Sequence, residues 1–586
     1  MSVKMYCKKN SVVKLISHVV KMIALVAVMG ASLPAVAKTD ASKVAVLPDD
    51  VDFWSDYPAA VLADTLADRM TDDELLSQIL MFGWAGAEPS ELLNQWVSDR
   101  GLGSVKVFGW NTDDIHLVAK AVKSLQEKAQ TRKYKIPLFV ATDQEGGWIR
   151  HVKGETSDTP GNLAIGASGY PIDAYYSGFY INREIRALGI NMNFAPSVDI
   201  YTNLNSSVIG PRSFGSDANS VGVLGAAFAR GSMDAGVLPT AKHFPGHGDT
   251  SLDSHGNLPQ INISYNMLMN RELVPFKYLI SQHIPAIMSG HLCFPQITND
   301  GAPASLSKKF LTDILRKQLG YDGLIITDDM MMNGATIYGG TLWNAVNLAI
   351  RAGNDIIISS TTAQLNEPLW SRNLAMMESD ASFRETVKQA ARRVIYTKLT
   401  YFKSDNHAPL YPDADHISES IPDKEGQLFF LDQACRSITV YKAGDFPYHP
   451  KDGERVLLAG PFNKFFEEGK KRYPNAATFH FSYELASDKG NLSEWNGDGL
   501  VSAAAKCDTI IICVFSEHSA GMAERLRGMG KKVIVLSIMS PVPELSNTWA
   551  DTILCGYSYS NYTFEALFGA LSGEFTPQGT MPLKHN

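Results

Sequence analysis

Cysteine is scarce: six residues in a chain of 586, with Cys293, Cys435, Cys507, Cys513 and Cys555 left once Cys7 near the start is set aside. An odd number with no close-spaced pair excludes a disulfide scaffold and a cysteine-type zinc site, and points to buried, inert thiols. Basic tracts are missing beyond the first few dozen residues, and 53 Lys and Arg against 61 Asp and Glu leave a net charge of -8. That argues against nucleic acid as a partner and for a neutral or polar ligand. No repeat or low-complexity segment stands out. The apolar run "MIALVAVMGASL" falls short of the roughly 20 residues a membrane span needs.

That run has a different reading. Lys4, Lys8, Lys9, Lys14 and Lys21 precede or enter it, and it ends in "AVAKTD", the pattern of a secretory signal peptide over residues 1–37 with cleavage after Ala37. Cys7 lies before the apolar run, where a lipid-attachment cysteine would not be. The mature chain is expected to be exported, periplasmic or extracellular, with no stable membrane insertion.

A length of 586 residues exceeds what one core normally serves, so at least two domains are expected. Residues 45–402 read as successive βα units. The strand candidates are "QILMFG", "GSVKVFG", "PLFVATD", "NMNFAPSVD", "LPTAKHF", "PAIMSGH", "LIITDD" and "NDIIIS". Between them stand helical stretches such as "HLVAKAVKSLQEKAQ", "AYYSGFYINREIRALG", "FLTDILRKQLG" and "LWNAVNLAIRAG", the last three stopped by glycine. Eight such units predict an α/β fold, a TIM-type (β/α)₈ barrel. A polar, proline-bearing linker follows over 403–424, and residues 425–586, with "SITVYK", "RVLLAG", "TIIICVFS", "KKVIVLSI" and "TILCGY", read as a smaller α/β sandwich domain.

Nearly every barrel strand ends in Asp, Lys or His: Asp143, Asp199, Lys242 with His243, His291, and Asp328 with Asp329. A barrel of this type gathers its strand ends on one face, so these distant residues are predicted to converge.

The densest stretch is "AKHFPGHGDTSLDSH", where Pro245, Gly246 and Gly248 forbid a helix and put polar side chains on shaped loop. His243, His247 and His255 could ligate metal, but Phe-Pro-Gly blocks the helical geometry that makes such pairs converge, and no metal or other cofactor is expected. The same groups could hydrogen-bond the loop together, His247 above all. Alternatively, Asp253 could hold the ring of His255 and make it a general acid/base. Asp328 ends its strand and could be a nucleophile, with Asp329 capping or bracing. Asp143 and Asp199 compete for that role, or could grip ligand hydroxyls or loop backbone. Asp143, Arg212, Lys242 and His243 form a polar set suited to sugar hydroxyls, each of which costs about 1 to 3 kcal/mol if buried unpaired.

Together with "IITDDM", "NFAPSVDI", "GPRSFGSD" and "DQEGG", the loop resembles glycoside hydrolase family three, in its bacterial β-N-acetylhexosaminidase branch. The resemblance is strong over about residues 60–400 and weaker at the ending "ALSGEFTPQGTMPL". It implies a retaining exo-acting β-N-acetylglucosaminidase working on cell-wall fragments (peptidoglycan) or chitin-type oligosaccharides. Asp328 would be the nucleophile, His255 the acid/base and Asp253 its partner, with sugar contacts from Asp143, Arg212, Lys242 and His243, and further candidates in Arg150, His151 and Met288. The family usually reads Asp-Gln-Glu-Gly-Gly-Arg-Val-x-Arg, whereas this chain has Trp148 and His151 at the two arginine places. The barrel is expected to be self-sufficient, and the second domain to be structural, to shape the groove, or to form a homodimer contact. Two rival functions keep the fold: a phosphorylase using phosphate in place of water, and a glycan-binding protein without turnover. The absence of a G-x-S-x-G setting around Ser254 argues against a Ser-His-Asp hydrolase.

Overall fold

The computed structural model describes residues 47–206, 208–252, 256–483, 491–545 and 548–584. The expected signal peptide therefore lies outside the described residues, among which no helix is long and apolar enough to cross a membrane.

All eight apolar runs of the first domain form parallel strands: β1 Leu80–Phe82, β2 Ser104–Lys106, β3 Phe139–Thr142, β4 Met192–Asn193, β5 Leu238–Phe244, β6 Ala286–Ser289, β7 Leu324–Thr327 and β8 Ile357–Ser359. They pair in the order β8-β1-β2-β3-β4-β5-β6-β7. A parallel bridge between Ile326 and Ile356 joins the two ends, so the sheet closes into the expected barrel. The strands are buried on both faces, which is why they read as apolar runs rather than alternating ones.

The four helical stretches form Ile115–Gln130, Pro171–Ala187, Lys309–Gln318 and Leu342–Ala352. The three predicted glycine stops lie just past the last three, at φ of +78° for Gly189, +68° for Gly320 and +116° for Gly353. Left-handed backbone of this kind suits a residue without a Cβ.

Among its described residues the second domain holds six strands where the sequence suggested five: β9 Thr439–Lys442, β10 Val456–Gly460, β11 Ala477–His480, β12 Thr509–Val514, β13 Lys532–Ser537 and β14 Thr552–Cys555. Their order is β9-β14-β13-β12-β10-β11, with only β9 antiparallel to its neighbour. The five later cysteines are buried, as expected.

The barrel region shares packing with the second domain. Helix Asn162–Ser168 of the barrel region puts Leu163, Ala164 and Ala167 into the core of the second domain, together with Tyr201. Asp173, wholly buried, holds Arg436 at 2.6 Å, and Tyr201 meets Ser540 at 3.1 Å. Near the C-terminus the chain returns to the barrel, where Thr580 N–H donates to Ala167 and Ser216 N–H to Pro582.

Candidate active site

Strand ends converge at the barrel mouth. β3 delivers Asp143 and, two residues on, Glu145; β5 delivers Lys242 and His243; β2 ends on Lys106; β7 is followed by Asp328. The peptide between Lys242 and His243 is cis.

Three cations sit on two carboxylates. Asp143 takes Lys106 Nζ on Oδ2 at 2.8 Å and Lys242 Nζ on Oδ1 at 2.6 Å. Lys242 also reaches Glu145 Oε1 at 2.7 Å. Arg212 grips Glu145 through Nε and Nη2 at 3.0 and 2.7 Å, and its Nη2 also lies 3.3 Å from His243 Nε2. Burial works to raise the carboxyl pKa of Asp143, but Lys106, Lys242 and His151 outweigh it and hold Asp143 well below the usual range. Burial likewise works to raise Glu145, and Arg212 and Lys242 overcome it and lower the pKa. Burial lowers Lys242, and the two carboxylates reverse that, raising it. Buried charges are costly even when paired, so such a concentration at strand ends marks a working site more than a stabilising one.

Asp199, wholly buried, organises the polar loop from below. Its Oδ2 accepts His243 Nδ1 at 2.7 Å and the Ser197 hydroxyl at 3.0 Å, while Oδ1 accepts the backbone N–H groups of His243 at 3.2 Å and His247 at 2.7 Å. Of the alternatives the sequence left open for Asp199, the structure realises the loop-holding one. With Nδ1–H on Asp199 and Arg212 donating to Nε2, the two ring nitrogens of His243 have distinct roles. The glycines in "PGHGD" follow from this tight seating. A Cβ on Gly248 would come within 1.6 Å of the Ile200 carbonyl oxygen, and Gly246, at φ +133°, lies against the buried Glu272. His247 is buried, its amide holds the loop to Asp199, and neither ring nitrogen has a hydrogen-bond partner. Burial, aided by His243, pushes its imidazole down to about 4.

Asp328 is half-buried at the mouth. Its amide donates to Ser289, fixing it beside β6, and its Oδ1 accepts Asp329 N–H at 2.8 Å. Burial raises its pKa, but His243, His291, the Asp329 amide and Lys106 prevail and lower it, so the carboxylate is ionised. Three cations over Asp143 and Glu145 leave one positive charge in excess (3 − 2) beside it. Asp329 braces: its Oδ1 accepts the amides of Met331 and Ser360, both at 3.0 Å, tying β7 to the loop after β8. His291 is buried between Ser305, 2.7 Å from Nδ1, and the Asp329 carbonyl, 3.1 Å from Nε2.

The structure thus brings together Asp143, Arg212, Lys242, His243 and Asp328. Asp253 and His255, expected to supply the acid/base, lie outside the described residues, as does Ser254. His151 stands beside Asp143, its Nδ1 3.6 Å from Oδ2. Arg150 turns elsewhere, donating to the Thr156 carbonyl at 3.0 Å. Met288 is buried in the barrel core with Ala286 and Ile326. Sequence reasoning missed Lys106 and passed over Glu145. The signal for Lys106 was present, as a lone charge inside the otherwise apolar "GSVKVFG". Among the described residues no three metal-ligand side chains gather as a metal site would require.

Residues 71–397 match the Glycosyl hydrolase family 3 N terminal domain. The chain is 31% identical over 403 residues to a beta-hexosaminidase A of Pseudoalteromonas piscicida, covering 59% of this chain and 66% of that protein, just under two thirds of its length. It is 34% identical over 285 residues to a beta-hexosaminidase of Thiobacillus denitrificans, covering 48% of this chain and 77% of the relative. Among solved structures, a glycoside hydrolase family 3 beta-N-acetylglucosaminidase from Paenibacillus superposes with a TM-score of 0.79 at 27% identity, over 88% of this chain and 99% of that one. The domain match spans more than half of the chain, and its barrel has the charged mouth described above: the chain belongs to glycosyl hydrolase family 3 and is a glycoside hydrolase.

Proposed function

We propose that this enzyme removes terminal β-linked N-acetylglucosamine from oligosaccharides, with retention, through a glycosyl intermediate on Asp328. The observation that carries the reading is an ionised, half-buried Asp328 beside a dense set of fixed hydroxyl-binding groups, Asp143, Lys242, Arg212 and His243. Such a set orients a pyranose so that the carboxylate faces its anomeric carbon. The sugar enters as the substrate class named for the hexosaminidase relatives and for the Paenibacillus structure. Peptidoglycan fragments and chitin-type chains both carry that terminal sugar, and the exported location expected from the N-terminal residues puts the enzyme where either occurs.

In the first step Asp328 Oδ2, the oxygen not engaged by the Asp329 amide, attacks the anomeric carbon as the glycosidic bond breaks and the leaving oxygen takes a proton. In the second, water attacks the same carbon and Asp328 is released. On the resemblance of "DTSLDSH" to the family loop, His255, oriented by Asp253, gives that proton and later takes one from water.

Replacing Asp328 by Asn tests this. Turnover of an aryl N-acetylglucosaminide should fall by about 10⁴-fold or more, with little change in thermal midpoint because, among the described residues, the side chain accepts only one neighbouring amide. Near-wild-type turnover in D328N would sink the proposal.

A further inference from the structure

Lys106 is held in an unusual box. Its ammonium lies 4.2 Å from the centre of the Phe108 ring and 5.2 Å from that of Phe194, with Asp143 Oδ2 at 2.8 Å. Two aromatic faces and a carboxylate leave the cation one place to be. Asp143 is thereby gripped on both oxygens, Lys242 having the other. A carboxylate oxygen has two lone pairs, so each still has one to offer a ligand hydroxyl.

His151 competes for the same oxygen and loses. Its Nδ1 stands 3.6 Å from Asp143 Oδ2, too far for a hydrogen bond, and this buried nitrogen has no partner. The ring is positioned all the same, because His151 N–H donates to the Asp143 carbonyl at 3.0 Å and the imidazole packs on Phe108 with centroids 5.7 Å apart. Lys106, Asp143 and His151 keep 8%, 12% and 28% of their side-chain surface open, so all three reach the mouth.

We propose that Lys106 is a specificity-determining positioning residue of the sugar pocket: it fixes Asp143 as a two-oxygen acceptor for neighbouring ring hydroxyls and holds the place on Oδ2 that the His151 ring would otherwise take. This rests on the pocket being the sugar site proposed above. Its consequence is a defined response to removal of the lysine. The charged groups facing the His151 ring are Asp143 and Glu145 after β3, Lys106 on β2 and Lys242 on β5. Burial, with Lys106 and Lys242 adding to it against Asp143 and Glu145, holds the imidazole down at about 4. Without Lys106 one opposing charge is gone, Asp143 Oδ2 is bare, and the histidine takes up a proton to fill the gap at mildly acid pH.

The experiment is calorimetric binding of N-acetylglucosamine between pH 5 and pH 8, with steady-state kinetics on an aryl N-acetylglucosaminide in parallel. Wild type should bind with the same affinity across that range. K106M should bind about 10-fold more weakly at pH 8, mainly as a rise in KM, and recover several-fold toward pH 5, while K106M/H151Q should stay weak throughout. An unchanged Kd in K106M overturns the proposal, as does a loss with no pH dependence. K106Q provides the check should K106M not fold: it should weaken binding about 3- to 10-fold at pH 8 and recover toward pH 5, and unchanged affinity overturns the proposal. Running glucose and its aryl glucoside alongside separates the two readings. A wild type that takes only glucose sinks the N-acetylglucosamine assignment, and the variant-to-wild-type ratio on glucose still reads Lys106.

Discussion

Asp199 and His243, one just after β4 and the other on β5, are joined by a 2.7 Å bond from Nδ1 to Oδ2, and the second Asp199 oxygen holds the amides of His243 and His247. One buried carboxylate therefore sets both the ring of a histidine at the barrel mouth and the path of the loop that follows it.

D199N should separate these tasks. An amide –NH₂ in place of Oδ2 would face Nδ1–H donor to donor, so the His243 ring must switch tautomer or turn. The expected loss in kcat/KM is about 10- to 100-fold, and adding H243A should cost little more, because both changes remove one interaction. Additive losses would show that Asp199 acts only through the backbone.

Glu145 and Arg212 form the most buried bidentate pair at the mouth, with 1% and 12% of their side chains exposed. R212M leaves Glu145 with Lys242 alone and should destabilise by about 3 kcal/mol. In a cycle with E145Q, chemical unfolding should give a coupling of about 1 to 3 kcal/mol. A coupling near zero would mean the pair is held by its surroundings.

Glu272 lies beneath the loop, 1% exposed at the side chain, with Arg271 on Oε1 at 2.5 Å and no partner for Oε2. Burial pushes its carboxyl up to about 7, against the pull of Arg271. A raised folded-state pKa means that the folded protein holds a proton the unfolded chain has released. The stabilising contribution is complete below the unfolded value of about 4.5 and fades as pH rises through 7. E272Q removes this dependence, so its melting midpoint relative to wild type should be higher at pH 8 than at pH 5. Equal differences at both pH values would contradict the burial argument.

Product analysis addresses the chemistry. A covalent Asp328 intermediate requires the β-anomer of the free sugar to appear first by NMR, before mutarotation, even in phosphate buffer. Initial α-anomer would rule the intermediate out, and sugar 1-phosphate would identify a phosphorylase.

The barrel was legible because its strands are buried on both faces and its helices end at glycines, so apolar runs and stop signals coincide. β11 escaped because it is an edge strand whose Ala477, Thr478 and His480 face solvent, leaving no apolar run to read. At the site, the residues on distinctive loop motifs were legible. The lone lysine in "GSVKVFG" was visible but its role was not, since a lysine in a strand ordinarily points to water and only the closed barrel turns this one onto Asp143. Arg150 shows the converse: its neighbourhood in sequence to His151 suggested a shared role, but it ends a short strand, Ile149–Arg150, paired antiparallel with Gln144–Gly146, and alternation there sends it to Thr156.

Helix Asn162–Ser168 serves two cores at once, Ile165 packing on the barrel side and Leu163, Ala164 and Ala167 in the second domain. Excising the catalytic half would lay Leu163, Ala164 and Ala167 open to water and strand the carboxylate of Asp173 without Arg436. The two halves should therefore melt in a single transition, and shortened versions made for crystallisation or engineering should aggregate unless that greasy stripe is first rewritten.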